Sequence, residues 1–333
     1  MTEPYVASNL VVAALAIGAA GVAVVVRRNE QWRDAARELW RRRPVAIIAV
    51  ALYVGVALGD SIAWVGGADA VRPRSLVDRA FPVDFQERSY SAPLADHDFY
   101  GGAPLRYPGR HLLGTDILGR DVLHMTLKGA RVALLIGGLT TLIAIPLALL
   151  FGVSAGYFGG VVDDGVFFLV STLASIPSLL LLIALIMVLG LGTLQVCVAL
   201  GVTGWVGFCR LARGETLKLR ELDYVQAARA LGRRDLAIAF RHILPNCVGP
   251  LLVQASFIFA YAILAEAILG FLGVGVPPYV PSWGNVIASG KNVIREAFWV
   301  SLFPGLALTI SGLSLNLLGD GLRDVLDPRL RVQ

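Results

Sequence analysis

Apolar and polar residues fall in long blocks along this chain. Seven blocks are nearly continuous runs of Ala, Val, Leu, Ile, Gly and Phe: roughly Ala7–Val26, Val45–Val65, Val132–Tyr157, Val166–Leu189, Leu194–Leu211, Val248–Val276 and Ala297–Leu318. Each is close to the ~20 residues a helix needs to cross the hydrocarbon core of a bilayer. Asp60 makes the second run the least clean. Pro146 and Pro177 sit inside the third and fourth, where proline is expected to kink a span that its neighbours support. Only Gly190–Thr193 separates the fourth run from the fifth, so a very tight turn is predicted there.

Composition agrees with this pattern. Of 333 residues, 56% are hydrophobic and 16% charged, too apolar for an ordinary soluble domain. The net charge of +5 does not point to nucleic acid, because the Arg residues follow the span ends and no aromatic-rich basic face accompanies them. Cys197, Cys209 and Cys247 lie in or beside apolar runs and read as small buried hydrophobes. The four histidines are scattered, without metal-ligand spacing.

The basic segments give a topology. "MTEPYVASN" lacks the basic start of a cleaved signal peptide, and Arg27 and Arg28 follow the first run, which favours an uncleaved span with its N-terminus outside. The segment 27–43 carries seven Arg against three acidic residues and is placed in the cytoplasm. Residues 66–130 carry eight basic and eight acidic residues and fall outside by parity. "GYFGGVVDDG", residues 212–247 and the Arg-bearing C-terminal tail then fall inside. The expected organisation is an extra span and cytoplasmic elbow (1–43), a first core span (44–66), an extracytoplasmic loop with a lateral helix (67–130), a transmembrane domain (131–320) with a cytoplasmic loop at 214–247, and a cytoplasmic tail (321–333).

The loop holds the most informative stretch, "YVQAARALGRRDLAIAFRHILPN". Two short helices are predicted. Val225, Ala228 and Leu231 share one face of the first, and Leu236, Phe240 and Ile243 form a stripe on the second. Gly232 breaks between them and Pro245 is expected to stop the second before the sixth span. Small residues at Ala227, Ala228 and Gly232 would let a partner approach closely. A solvated amphipathic connector is the competing reading.

This stretch resembles the cytoplasmic EAA motif of the permeases of ATP-binding-cassette importers: Glu-Ala-Ala, three residues, Gly, nine residues, Ile, one residue, Leu-Pro. Ala227, Ala228, Gly232, Leu244 and Pro245 fit it. Gln226 replaces the Glu, and His242 stands where Ile is usual. "HLLGTDILGRDVLHMTLKGARVALLIG" from His111, "EAILGFLGVGVPPYVPSWGNVIASGKN" from Glu266 and "FPGLALTISGLSLNLLGDGLRDVLDPR" ending at Arg329 resemble the oligopeptide, dipeptide and nickel subgroup, in particular its second, C-type permease. Together the matches cover about 112–331. The extra first span and a long outer loop depart from the family's six-span core.

The resemblance implies an all-α, polytopic type I importer permease, with one extra N-terminal span. It implies a homologous permease subunit, two ATPase subunits and an extracytoplasmic solute-binding protein as partners. No cofactor is expected on this chain, ATP and Mg²⁺ being bound by the ATPases, and no enzymatic activity of its own. In the family the EAA helices sit in a cleft of an ATPase, whose closure tilts the spans from inward-open to outward-open. The residues carried into this role are Tyr224, Gln226, Ala227, Ala228, Arg229, Leu231, Gly232, Leu236, Phe240, Leu244 and Pro245. Affinity is expected mainly from Leu231, Leu236 and Phe240, since exposed ion pairs contribute only about 0–1 kcal/mol each.

Glu266 is ionisable within a span, which makes it a candidate for the translocation pathway; a structural hydrogen bond is the alternative. "HLLGTDILGRDV" suggests a capped turn, with Asp116 near the start of the lateral helix; a Ca²⁺ site at Asp116 and Asp121 lacks the rest of a ligand loop. "GVGVPP" lacks the Lys-Ser/Thr ending of a phosphate loop. A secondary transporter working alone would call for inverted repeats and mid-membrane charges, and a membrane enzyme for His/Asp clusters. Peptides are the expected cargo, with nickel chelates and glutathione as alternatives.

Overall fold

The computed structural model describes residues 9, 30–64, 73–82, 85–99 and 101–326. Apart from Asn9, the first apolar run, 7–26, lies outside them, as does the end of the C-terminal tail. Helix α1 (Glu30–Arg42) is amphipathic and ends on Arg41 and Arg42, where cations complement the helix C-terminus. It leads directly into α2 (Pro44–Ser61), which has proline in its first turn, the one place where a missing N–H costs nothing. A two-stranded antiparallel ribbon follows, β1 (Ala63–Trp64) on β2 (Arg74–Ser75), then a single capped turn, α3 (Leu76–Arg79).

The remaining helices are α4 (Val122–Phe158), α5 (Gly160–Ala174), α6 (Ser178–Leu189), α7 (Thr193–Arg220), α8 (Asp223–Ala230), α9 (Asp235–Ile238), α10 (Leu244–Phe271), α11 (Trp283–Gly290) and α12 (Trp299–Leu326). Among the described residues α2, α4, α7, α10 and α12 are long and apolar enough to cross a membrane, and α5 with α6 makes a sixth candidate. That pair sharpens one expectation. The fourth apolar run is broken more abruptly than a proline kink: α5 and α6 meet at 89°. Pro177 has no N–H to continue the helix and disfavours helical backbone at the residue before it, and α5 ends at Ala174. Pro146, by contrast, is absorbed inside an unbroken α4.

The lateral helix is corrected. No separate helix follows Asp116; α4 starts at Val122 and runs straight into the span for 37 residues. Asp121 caps it, accepting the backbone N–H of His124 at 2.8 Å, while Asp116 shapes the preceding turn. The expected boundary at 130/131 therefore falls inside one continuous helix.

The chain divides into two compact units, Met1–Leu135 with Ile263–Leu318, and Ile136–Ala262 with Gly319–Gln333. In the first unit, Trp283 donates its indole N–H to the Thr126 carbonyl at 2.8 Å, and Gly129 leaves the room the indole occupies. Trp299 donates to the Thr115 carbonyl at 3.1 Å and packs with Tyr90, Val122, Ala297 and Val300.

In the second unit, α4 and α7 touch backbone to backbone. A Cβ at Gly152 would lie 2.7 Å from the Cβ of Ala212, and one at Gly156 2.7 Å from that of Thr216. Small residues four apart let helices approach where burial of side chains supplies no drive. Cys209, with Trp205, packs against Ala144, Ala148 and Val170, and all three cysteines are buried.

Candidate functional site

The EAA-like stretch folds as two short helices, as its pattern requires, but its faces are divided differently. Val225 and Ala228 of α8 point into a cluster with Val153, Tyr157, Ala212, Ile238, Ala239 and Ile243. Leu231 is not on that buried face; it is 85% exposed. On the second helix the buried stripe is Ile238, Ala239 and Ile243, while Leu236 and Phe240 are 62% and 65% exposed. The chain thus presents Leu231, Leu236 and Phe240 outward as three large apolar side chains in ten residues, with exposed Arg229, Arg233 and Arg234 beside them.

The small residues turn out to serve different ends. Ala228 is small because the protein's own cluster covers it, so it does not admit a partner; Ala227 is exposed. Gly232 is set by backbone geometry: its φ is +73°, and a Cβ there would meet nothing within 4 Å. The Arg233 N–H reaches the Ala228 carbonyl at 3.2 Å and the Gly232 N–H the Arg229 carbonyl at 3.0 Å. This is a Schellman cap, whose left-handed position favours glycine.

The two departures from the motif have structural counterparts. Gln226 donates its side-chain amide to the Arg220 carbonyl at 2.8 Å, tying α8 to the end of α7; a glutamate carboxylate has no proton to give. His242 lays its ring 6.1 Å from that of Tyr224, an apolar neighbour in the place of isoleucine. Asn246 bridges the same region, donating to the Tyr224 hydroxyl at 3.3 Å and to the His242 carbonyl at 2.6 Å.

Pro245 does not stop the second helix. A π-helical turn at Ala239–Ile243 carries α9 directly into α10. The Leu244 N–H bonds to the Ala239 carbonyl, five residues back, and the next residue is the proline. Widening the turn just before a residue with no N–H lets the helix absorb it without ending.

Asp235, in the first turn of α9, accepts the Tyr157 hydroxyl at 2.7 Å, and the Arg229 guanidinium lies 5.4 Å over the Tyr157 ring. On α5, Asp163 accepts two hydrogen bonds from Arg213, both at 2.6 Å, and Arg220 donates to the Gly156 carbonyl at 2.9 Å. Sequence reading missed this lattice. Its signal was the placement of acids after α4 and of Arg along α7.

Glu266 lies in α10 and is 1% exposed; it is hydrogen-bonded to the Ser282 side chain, and Oε1 has no hydrogen-bond partner among the described residues. Ser282 in turn caps α11, accepting from the Asn285 N–H at 3.2 Å.

The 67–130 segment is built on buried charge. His111 sits between carboxylates, Nδ1 at 2.8 Å from Asp121 and Nε2 at 3.4 Å from Glu87. Asp116 accepts the N–H groups of Leu118 and Arg120, both at 2.9 Å, and the Arg120 side chain at 2.8 Å. The carboxylates of Asp116 and Asp121 are therefore engaged by an arginine, a histidine and backbone N–H groups. Asp78 joins α3 to α4 through His124 and Lys128. Burial opposes its ionisation, but hydrogen bonds from His124, Lys128 and the Ser75 N–H, with the Lys128 charge, outweigh that and hold the carboxyl far below the usual range. A cavity of about 1180 Å³ opens beside this network, with Arg74, Phe81, Phe85, Arg106 and Tyr279 in its wall.

Comparison with known proteins matches the chain over residues 148–332 to a family described as binding-protein-dependent transport system inner membrane component. A di/tripeptide transport system permease protein of Pseudomonas aeruginosa is 42% identical over 222 residues, covering 67% of this chain and 73% of the relative. A glutathione transport system permease protein of Pectobacterium atrosepticum is 35% identical over 306 residues, 92% of this chain and 95% of the relative. A dipeptide transport system permease protein of Bacillus subtilis is 39% identical over 222 residues, 66% and 69% respectively. With more than half its length matched by the family and its helices built as a multi-span membrane protein, the chain belongs to the binding-protein-dependent transport system inner membrane components.

Proposed function

We propose that this chain is the peptide-conducting permease subunit of an importer powered by partner ATPases, and that the Leu231–Leu236–Phe240 ridge is where an ATPase docks. The observation that carries the reading is the ridge itself. A connector would bury its large apolar residues or lack them, whereas this one buries Val225, Ile238 and Ile243 and leaves Leu231 at the capped turn and Leu236 and Phe240 on the helix after it exposed. Contiguous exposed apolar side chains rimmed by charge mark an interaction surface. ATP and Mg²⁺ belong to two ATPase chains. A second, homologous permease completes the pore, and an extracytoplasmic binding protein delivers cargo.

The relatives' names support short peptides as the cargo, and glutathione, itself a tripeptide, falls in the same class. Glu266 is buried within the chain beside the cap of α11, which favours a structural role over a place on the pathway. The basic segments support a cytoplasmic elbow, EAA-like loop and C-terminus, with the N-terminus and the 67–130 segment outside.

Proteoliposomes holding the assembled transporter and its binding protein should take up a radiolabelled tripeptide only while ATP is hydrolysed. Uptake driven by a proton gradient without ATP overturns the reading. Orientation is tested by external thiol labelling in a cysteine-free background. Leu94→Cys, 57% exposed, should label and Arg229→Cys should not; Tyr90, at 3% exposed, is no site for such a probe.

A further inference from the structure

Chain connectivity passes a push on the EAA-like loop into only two spans. The loop follows α7 and precedes α10, so those helices move with it by covalent attachment. Span α4 has no such link: Tyr157 near its end and Asp235 of α9 lie 78 residues apart in sequence. Yet α4 ends against the loop, and one side chain there touches both of the loop's helices.

That side chain is Tyr157, next to last in α4 and 4% exposed. Its hydroxyl donates to Asp235 Oδ1 at 2.7 Å, on the α9 side of the Gly232 turn. Its ring carries the Arg229 guanidinium at 5.4 Å, on the α8 side. The ring therefore spans the turn. Around it Val153 of α4 packs in the cluster that holds Val225, Ala228 and Ile238. One residue earlier, Gly156 brings the α4 backbone against α7, and Arg220 donates to the Gly156 carbonyl at 2.9 Å. The end of α4 is thus gripped by α7, α8 and α9 together.

We propose that Tyr157 is a positioning residue for transport: it locks both helices of the EAA-like loop to the end of α4, so that displacement of the loop moves this span as well. The inference rests on the docking role given to the loop above. Apolar packing alone can slide, because dispersion contacts are non-directional. A hydrogen bond to a carboxylate and a stacked guanidinium fix the register along and across the helix end. Tyr157 needs no contact with cargo or nucleotide to do this.

The test uses the full transporter, with binding protein and both ATPases, in proteoliposomes, and reads uptake per ATP hydrolysed. Tyr157→Leu keeps an apolar side chain but loses both polar contacts. It should retain its ATPases and continue to hydrolyse ATP, while uptake per ATP falls roughly tenfold, the effect of losing one charge-assisted hydrogen bond and one cation–π contact. Tyr157→Phe keeps the ring under Arg229 but loses the hydrogen bond to Asp235, so its uptake per ATP should fall by more than about twofold and less than in Tyr157→Leu. Uptake per ATP within twofold of the parent in Tyr157→Leu overturns the proposal. So does a parallel fall in ATPase retention and hydrolysis with the ratio unchanged, which is what a merely structural residue would give. If Tyr157→Leu does not assemble, Tyr157→Phe alone removes the hydrogen bond to Asp235 with the ring in place, and uptake per ATP equal to the parent's overturns the proposal. The docking role fails separately, if the ridge variants described in the Discussion keep their ATPases at parental affinity.

Discussion

Replacing Leu231 and Phe240 by alanine together should separate the permease from its ATPases without disturbing its fold. Both side chains are mostly exposed, Leu231 at 85% and Phe240 at 65%, so the permease has little of either to lose. Exposed substitutions of this kind move stability by within about 0.5 kcal/mol. Docking is different, because a partner cleft would cover surface that now faces water. Leu→Ala removes three carbons, at about 0.8 kcal/mol each when buried, which comes to about 2 kcal/mol for a side chain this accessible. Scaling full burial of a Phe by its two-thirds exposure gives about 1–2 kcal/mol more. A total of about 3–4 kcal/mol weakens binding more than a hundredfold. The assay pairs the thermal midpoint of the purified permease in nanodiscs with titration of purified ATPase subunits onto it. A midpoint unchanged and an affinity within threefold of the parent would refute the argument: the ridge would then be lipid-facing or idle, and the loop a connector.

Two further outcomes follow from local geometry. Gly232→Ala and Gly232→Leu should cost about the same, roughly 1–2 kcal/mol of stability, because the penalty lies in the left-handed φ and the space beyond is open; Gly232→Asn should cost less, and thermal midpoints of the three variants test the ranking. Asp78→Asn should destabilise the α3–α4 tie by about 1–3 kcal/mol at neutral pH. A depressed carboxyl contributes fully above its unfolded-state pKa of about 3.9 and loses that contribution as pH falls towards its lower folded value. The midpoint difference from the parent should therefore narrow only below the ordinary carboxylate range, and a gap that closes near pH 7 would contradict this.

The sequence by itself determined five spans among the described residues, α2, α4, α7, α10 and α12, because a bilayer imposes one requirement, a length of apolar helix, that is visible in a linear string. It also determined the Gly232 break, since a left-handed cap favours glycine, and the family, since separated motifs recur in one order. Tertiary structure decided what depends on neighbours far along the chain. Pro146 and Pro177 look alike in the string, yet one is absorbed in α4 and the other turns α5 from α6 by 89°. Leu231 shares helical spacing with Val225 and Ala228, but the Schellman turn swings it out of the cluster that buries them. Asp116 and Asp121 read as one capped turn until His111, Arg120 and the start of α4 give them separate tasks. Tyr157 sits unmarked at the end of an apolar run; only the folded chain brings Asp235 and Arg229 to it, because a hydrogen bond across 78 residues leaves no periodicity behind.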